Sequence, residues 1–160
     1  MELPAGKKLN NSGMSERKQK NIFNRGAIPA SFIADSIRKH STQTVIGGHS
    51  IFLGQVRADQ TDNGIVKALD FTAFEEMALE KMHLIREDIF AKYPLTCMHV
   101  HHSLGEVTAG EICLFVFTSS AHRKAAMDAC EETVERLKAE LPVWGKEIME
   151  DDSHKWKINK

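Results

Sequence analysis

The sequence has little of what marks secreted and membrane-embedded proteins. Its 160 residues include three unevenly spaced cysteines, Cys97, Cys113 and Cys130, which suit a reducing compartment better than a disulfide framework. The longest strongly apolar run, 112–117, is far shorter than the roughly 20 residues that cross a bilayer. The N-terminal residues lack the apolar stretch of a signal peptide. We therefore expect a cytoplasmic protein with no membrane association.

The chain also has almost no net charge. It carries 21 Lys and Arg against 22 Asp and Glu, a formal net charge of -1 at pH 7. Nucleic-acid-binding domains usually have a basic surplus, so we expect no nucleic-acid partner. The length suits a single domain with its own core, and a hydrophobic fraction of 42% is ordinary for a globular protein. Any anion that the protein binds must therefore be bound at a local site.

Several common catalytic motifs are missing as well. The sequence contains no G-x-x-x-x-G-K-[ST] phosphate loop, no G-x-S-x-G nucleophile elbow and no paired C-x-x-C. Cys97, His99 and His101 alternate along one strand face, a pattern that can bind a metal ion. No carboxylate or thiolate elsewhere stands at clear ligand spacing, so we predict no metal site and no cofactor.

The N-terminal segment differs from the rest in composition. The first 25 residues carry six Lys and Arg but only Glu2 and Glu16, a local charge of +4. Low hydrophobicity and the lack of periodicity predict a disordered basic tail over residues 1–27. A single domain is expected to occupy residues 28–160.

Hydrophobic periodicity predicts three helices. They cover residues 30–40, residues 74–92, and a stretch that starts at the cap residues Ser119 and Ser120 and ends at Pro142. Extended segments are predicted at residues 43–57, 65–71, 97–104 and 111–118. The order α-β-β-α-β-β-α, with hairpin-like neighbours, favours an α+β fold with a largely antiparallel sheet and flanking helices.

Cations stand at the ends of these predicted elements. Arg57 follows an apolar strand, where a guanidinium fork can bind phosphate or carboxylate; the alternative is an ordinary surface arginine. His122 and Arg123 open the third helix, where free N–H groups and the helix dipole favour an anion. The alternative there is a serine cap followed by solvent-facing polar residues.

Two lysines near the C-terminus form another candidate site. Lys138 and Lys146 bracket a turn that contains Pro142 and Gly145. Two ammonium groups held close together lower each other's pKa, which can make a lysine an acid, base or nucleophile near neutral pH. The alternative for Lys138 is that its positive charge only interacts with the negative end of the helix dipole, at the C-terminal end of the helix.

Three segments, in their order and spacing, resemble the large, catalytic subunit of molybdopterin synthase. Residues 52–57 (FLGQVR) resemble its F-x-G-x-V-R strand, and residues 120–123 (SAHR) resemble its S-x-H-R helix start. Residues 137–147 (LKAELPVWGKE) resemble its L-K-x-x-x-P-x-W-K-x-E segment. The resemblance runs from about residue 50 to residue 156, roughly two thirds of the chain.

The resemblance implies an α/β hammerhead fold and a role in molybdenum cofactor biosynthesis. The implied reaction converts cyclic pyranopterin monophosphate to molybdopterin, with sulfur supplied by the C-terminal Gly-Gly thiocarboxylate of a small ubiquitin-like subunit. The implied assembly is a homodimer within a heterotetramer, with no cofactor. By motif position, the implied catalytic residues are Lys138 and Lys146, and the implied substrate-binding residues are Arg57, His122, Arg123, Phe52 and Val134.

This chain departs from the family pattern at three positions. The family has a lysine directly after the tryptophan, where this chain has Gly145 and then Lys146. Because glycine permits an altered backbone path, we expect Lys146 to replace the missing lysine. Gln55 stands in place of a lysine, and Ser103 in place of an arginine. The alternative function is a catalytically weak module that binds a ubiquitin-like tail or a phosphorylated ligand.

The predicted third helix separates two of these cations. Arg123 and Lys138 are 15 positions apart on it, which at 1.5 Å per residue is about 22 Å. One small pterin cannot contact both side chains within one chain. If both act, they must come from different chains of a dimer.

Overall fold

The computed structural model describes residues 20–158, which form an eight-stranded sheet and three helices. The elements are β1 (Phe23–Arg25), α1 (Ala30–His40), β2 (Gly48–Gln55), β3 (Gln60–Thr61), β4 (Gly64–Ala73), α2 (Glu75–Lys92), β5 (Leu95–Thr108), β6 (Ile112–Ser120), α3 (Arg123–Glu140), β7 (Val143–Met149) and β8 (His154–Trp156). The main strand order is β2-β6-β5-β4-β7-β8. Every pairing is antiparallel except the one between β1 and β5, so the predicted α+β fold with a largely antiparallel sheet is confirmed.

The two faces of the sheet are covered by different helices. Successive strand residues point to opposite faces, so Leu114 and Val116 of β6 join the core cluster that α2 and α3 close. Phe115 and Phe117 point the other way and pack beneath α1. No helix within residues 20–158 is long and apolar enough to cross a membrane.

The first two helices follow the sequence pattern closely. α1 has the predicted bounds, and α2 buries the side chains that recur at helical spacing, from Ala78 to Ile89. The extended backbone of Tyr93, immediately before Pro94, ends α2 because a residue before proline avoids the helical region.

The third helix begins later than predicted. Ser119 and Ser120 do not cap it; both are buried in β6, and the Ser120 hydroxyl donates to the Pro94 carbonyl oxygen over 2.9 Å. The N-cap of α3 is His122, whose side chain makes no capping bond. β6 is paired on both edges up to Ser120, which lies opposite Gly48 of β2 and Leu95 of β5, so the backbone of both serines belongs to the sheet.

The predicted tail boundary at residue 27 is wrong, because the fold begins earlier. Ile22 is only 1% exposed and belongs to the core between the sheet and α2 and α3. Residues 23–25 form β1, with Phe23 opposite His102 of β5. A three-residue strand is too short to produce a periodic pattern. Residues 1–19 of the predicted tail lie outside the described residues.

The C-terminal region adds two strands that the sequence pattern did not predict. β7 pairs with β4 along its length, and β8 pairs with the second half of β7. This places Gly145 opposite Phe71, and Lys146 opposite Asp70 on one side and Trp156 on the other. The register of β7 therefore decides which of these residues faces α3.

Candidate functional site

Strand β2 and helix α3 lie side by side and run in the same direction. At their N-terminal ends, a Cβ on Gly48 would lie 3.1 Å from the Cα atom of Arg123, so the two backbones are in close contact. At the other end, Gln55 and Arg57 lie near Lys138, since all three line one groove. The predicted site residues therefore fall into two groups, at opposite ends of α3.

The groove at the C-terminal end of α3 has a volume of about 1000 Å³. Arg57 lies at its rim, where its Nε atom is 3.2 Å from an Asp59 carboxylate oxygen and its side chain is 72% exposed. An exposed pair of this kind contributes at most about 1 kcal/mol, so a bound anion can compete for the guanidinium. Lys138 reaches the same groove from α3.

Other ionisable side chains line the groove and were missed by sequence reasoning. Four cations and three carboxylates surround it: Arg57, Lys138, Lys155 and Lys157, with Asp59, Glu135 and Glu147. Glu147 is only 8% exposed, and Lys155 stands opposite it in the β7–β8 ladder. Glu147 and Lys155 belong to strands that carry no clear periodic signal, so only the strand register could have identified them.

A smaller cavity of about 60 Å³ adjoins Lys138 on the sheet side. His102 lines it, and its Nδ1 donates to the Ser103 carbonyl oxygen over 2.7 Å. Burial lowers the pKa of His102, the bond to Ser103 opposes this shift, and the nearby Lys138 ammonium lowers the pKa further. The imidazole is therefore neutral at pH 7, and Lys138 supplies the positive charge of this cavity.

Gly145, rather than Lys146, faces the cavity beside Lys138. Gly145 lines the cavity, and a Cβ there would lie 3.3 Å from a ring carbon of Phe71. The next residue of a strand points to the opposite face, and the Lys146 ammonium lies 5.7 Å from the Trp156 ring centroid. The expectation that Lys146 replaces the lysine missing at position 145 therefore finds no support in the strand register.

The other predicted cations lie at the N-terminal end of α3. His122 is the N-cap and Arg123 the first helical residue, and both are exposed to solvent. The continuous helix from Arg123 to Glu140 keeps Arg123 about 22 Å from Lys138. One chain does not bring these side chains together, so a site built from two chains stays a prediction.

The predicted substrate-binding residues Phe52 and Val134 lie between the two groups. Val134 is 8% exposed in the core, and the partly buried Phe52 packs against the same cluster. Neither is among the residues that line the groove or the smaller cavity. Their structural role is to hold β2 against α3.

The sequence matches a known family model and named relatives. Residues 28–140 match the family described as MoaE protein. The chain is 32% identical to the "Molybdopterin synthase catalytic subunit" of Bos taurus over 98% of this chain and 80% of that protein. It is 33% identical to the human protein of the same name over 91% and 75%. A relative of this name from Drosophila willistoni is 38% identical over 71% of this chain, which spans only 31% of that protein.

Solved structures share the fold. A structure described as molybdopterin synthase from Staphylococcus aureus superposes with a TM-score of 0.75 at 30% identity, over 88% of this chain and 98% of that chain. A complex of subunits 1 and 2 of molybdopterin-converting factor from Helicobacter pylori superposes with a TM-score of 0.73, over 86% and 90%. At 19% identity, this second likeness concerns the fold alone.

Proposed function

The chain belongs to the MoaE protein family, and we propose that it is the catalytic subunit of a molybdopterin synthase. In this proposal it converts cyclic pyranopterin monophosphate to molybdopterin. The sulfur comes from the C-terminal thiocarboxylate of a small ubiquitin-like subunit. Free cysteines, such as the half-buried Cys97 and Cys113, favour the reducing cytoplasm as its location.

The observation that carries the proposal is the meeting of Arg57 and Lys138 in one groove. They reach it from separate elements, the segment after β2 and the last turns of α3. The proposed substrate carries a cyclic phosphate, and the proposed sulfur donor ends in an anion. A guanidinium binds phosphate oxygens through paired hydrogen bonds, whereas an ammonium acts as a compact charge.

Lys138 is the proposed catalytic residue. In each transfer, the thiocarboxylate sulfur forms a bond to a carbon of the pterin side chain while a carbon–oxygen bond at that carbon breaks and its oxygen leaves with the electron pair, so the partner tail is joined as a thioester. Addition of water to the acyl carbon then breaks the sulfur–acyl bond and releases the partner as a carboxylate. Both steps place negative charge near the donor tail, and a fixed ammonium stabilises it. His102 lines the smaller cavity beside Lys138. Its imidazole is neutral, so it does not offset the positive charge of the Lys138 ammonium.

His122 and Arg123 complete the site in this proposal from the second chain of a homodimer. The free N–H groups at the start of α3 and the positive end of its dipole favour the phosphate group. Phe52 and Val134 are proposed as positioning residues, because they hold β2 and α3 together behind the groove.

The test replaces Lys138 with alanine in a reconstituted assay with thiocarboxylated partner and pterin substrate. We expect Lys138→Ala to lower turnover at least about 100-fold, because it removes the charge that stabilises the reacting anion. Lys39→Ala is the matched control, since Lys39 is an exposed lysine of α1, on the other face of the sheet from the groove. Full activity in Lys138→Ala would refute the assignment of this residue.

A second variant addresses the departure at position 145. Because Lys146 lies on the opposite face of β7 from the cavity, we expect Lys146→Ala to lower turnover less than about tenfold. A loss as large as that of Lys138→Ala would show that Lys146 reaches the site in the assembled complex.

The alternative function, a module that only binds the partner tail or a phosphorylated ligand, predicts partner affinity with no turnover in the unsubstituted chain.

A further inference from the structure

A cluster of histidine and cysteine side chains lies on the sheet face covered by α1. His40 occupies the last position of α1 and is 8% exposed. Cys97 and His99 lie two residues apart on β5, so they point to the same face. Their partners on β6 are Ser119 and Phe117, and Phe117 packs beneath α1. The cluster is therefore on the opposite side of the sheet from α3 and the groove.

The donor atoms of this cluster are close enough to share one metal ion. The Nε2 atoms of His40 and His99 are 3.0 Å apart, and the donor atoms of His40, Cys97 and His99 all lie within 4.8 Å of one another. Tetrahedral zinc, with bonds of about 2.0–2.1 Å to nitrogen and 2.3 Å to sulfur, spaces such donors about 3.3–3.6 Å apart. Small side-chain rotations would bring all three atoms to this spacing.

Hydrogen bonding prepares His40 to act as a ligand. Its Nδ1 lies 2.6 Å from the Ser36 carbonyl oxygen, which can only accept, so Nδ1 carries the proton. In the neutral form of His40 the lone pair is therefore on Nε2, directed at His99. A ligand histidine in metalloproteins is typically held in this way by a carbonyl or carboxylate. Without a metal ion, the 3.0 Å contact requires His99 to donate its Nε2 proton to His40.

We propose that His40, Cys97 and His99 form a zinc-binding site, with two imidazole nitrogens, one thiolate and a fourth position open to solvent. Imidazole and thiolate are donors that zinc prefers, whereas magnesium and calcium prefer oxygen. Binding moves the remaining proton of His99 to Nδ1 and releases the Cys97 thiol proton to solvent. The oxidation state of the metal ion does not change.

The structure separates these three ligands from the neighbouring histidines. His101 lies on the same strand face but packs against Phe32, with ring centroids 4.7 Å apart. His49 directs its Nδ1 to the Ser119 hydroxyl over 2.6 Å. The ion would therefore link the end of α1 to β5, and its role would be to stabilise the fold rather than to take part in the reaction at the groove.

Cobalt(II) provides a spectroscopic probe of the site. We expect the full chain, freed of metal with a chelator, to bind one Co²⁺ with a thiolate-to-cobalt charge-transfer band that zinc abolishes. Cys97→Ser should remove this band and weaken binding at least about tenfold, and His99→Gln should weaken it similarly. His101→Gln and Cys113→Ser are matched controls that should keep both the band and the affinity, because their side chains lie outside the cluster.

Thermal unfolding keeps the test decisive if the buried His40 does not tolerate substitution. Zinc should raise the melting temperature of the unsubstituted chain, because a ligand that binds only the folded state stabilises it, and should not raise that of Cys97→Ser. Equal cobalt spectra in the unsubstituted chain and in Cys97→Ser would overturn the proposal. Binding at other than one ion per chain, or equal zinc stabilisation of both proteins, would also overturn it.

Discussion

At the residue scale, two adjacent glycines hold the start of β2 against the start of α3. A Cβ on Gly47 would overlap the carbonyl oxygen of Ala121, and the Gly47 amide donates to the Ser120 carbonyl oxygen over 3.0 Å. A Cβ on Gly48 would lie 3.1 Å from the Cα atom of Arg123, which is also a tight contact. The positions of His122 and Arg123 therefore depend on the absence of side chains at these two glycines.

We expect Gly47→Ala to lower the free energy of unfolding by about 1–3 kcal/mol, because backbone atoms must move to accept the methyl group. The activity proposed for His122 and Arg123 should fall with it. Gly145→Ala is the matched control, since the nearest atoms to its Cβ belong to the side chains of Phe71, at 3.3 Å, and Leu69, at 3.9 Å, and side chains can move. Urea unfolding of both variants tests the expectation, which equal losses of stability would contradict.

A single strand position also separates Gly145 from Lys146. Gly145 faces the cavity beside Lys138, and Lys146 faces Trp156. Because strand side chains alternate, a lysine displaced by one residue reaches the opposite side of the sheet. The cations that share the groove with Lys138 are instead Arg57, Lys155 and Lys157.

At the element scale, β1 extends the fold to the N-terminal side of its predicted start. β1 lies parallel to β5, and the His102 amide donates to the Ile22 carbonyl oxygen over 2.8 Å. The Ile22 side chain packs in the core that α2 and α3 close. Six residues that resemble a tail in composition, 22–27, therefore contribute to the packing of the sheet.

We expect Ile22→Ala to lower the free energy of unfolding by about 2–4 kcal/mol, because it leaves a cavity in a core position that is 1% exposed. Ile158→Ala is the matched control near the other end of the described chain, where the side chain is 77% exposed. It should change stability by less than about 0.5 kcal/mol. Chemical denaturation measures both, and similar values for the two variants would argue that β1 is not part of the stable fold.

At the scale of the whole molecule, the length of α3 decides how a site can be assembled. The helix is continuous from Arg123 to Glu140, so His122 and Arg123 lie about 22 Å from Lys138 in the same chain. The groove that contains Arg57 and Lys138 is at one end of this helix, and the free N–H groups are at the other. A two-fold dimer can bring the N-terminal end of α3 in one chain to the C-terminal end of α3 in its partner.

Mixing two inactive variants tests this arrangement. If each site takes Arg123 from one chain and Lys138 from the other, Arg123→Ala and Lys138→Ala should each be inactive alone. Random mixed dimers should recover about a quarter of the full activity, because half of the dimers are mixed and each has one intact site.

The matched control for this experiment mixes Arg57→Ala with Lys138→Ala. Both residues line the same groove of one chain, so no mixed dimer has an intact site and no activity should return. Turnover measured after co-refolding distinguishes the two mixtures. Recovery in neither mixture would contradict a site shared between chains, and equal recovery in both would contradict the joint action of Arg57 and Lys138.

The sequence by itself determined the features that depend on local pattern. The bounds of α1, the buried face of α2 and the α+β order follow from apolar spacing, because a helix buries residues that are close in the chain. The segments that carry Arg57, His122, Arg123 and Lys138 were recognisable because each lies within a short motif.

Only the tertiary structure decided which of these residues meet. It paired β1 with β5, turned Gly145 rather than Lys146 toward Lys138, and brought His40 to His99 from elements 59 positions apart in the chain. Each of these outcomes depends on strand register or on packing between distant segments. Such contacts leave no periodic trace in either segment alone, because they arise from the fit of one surface against another.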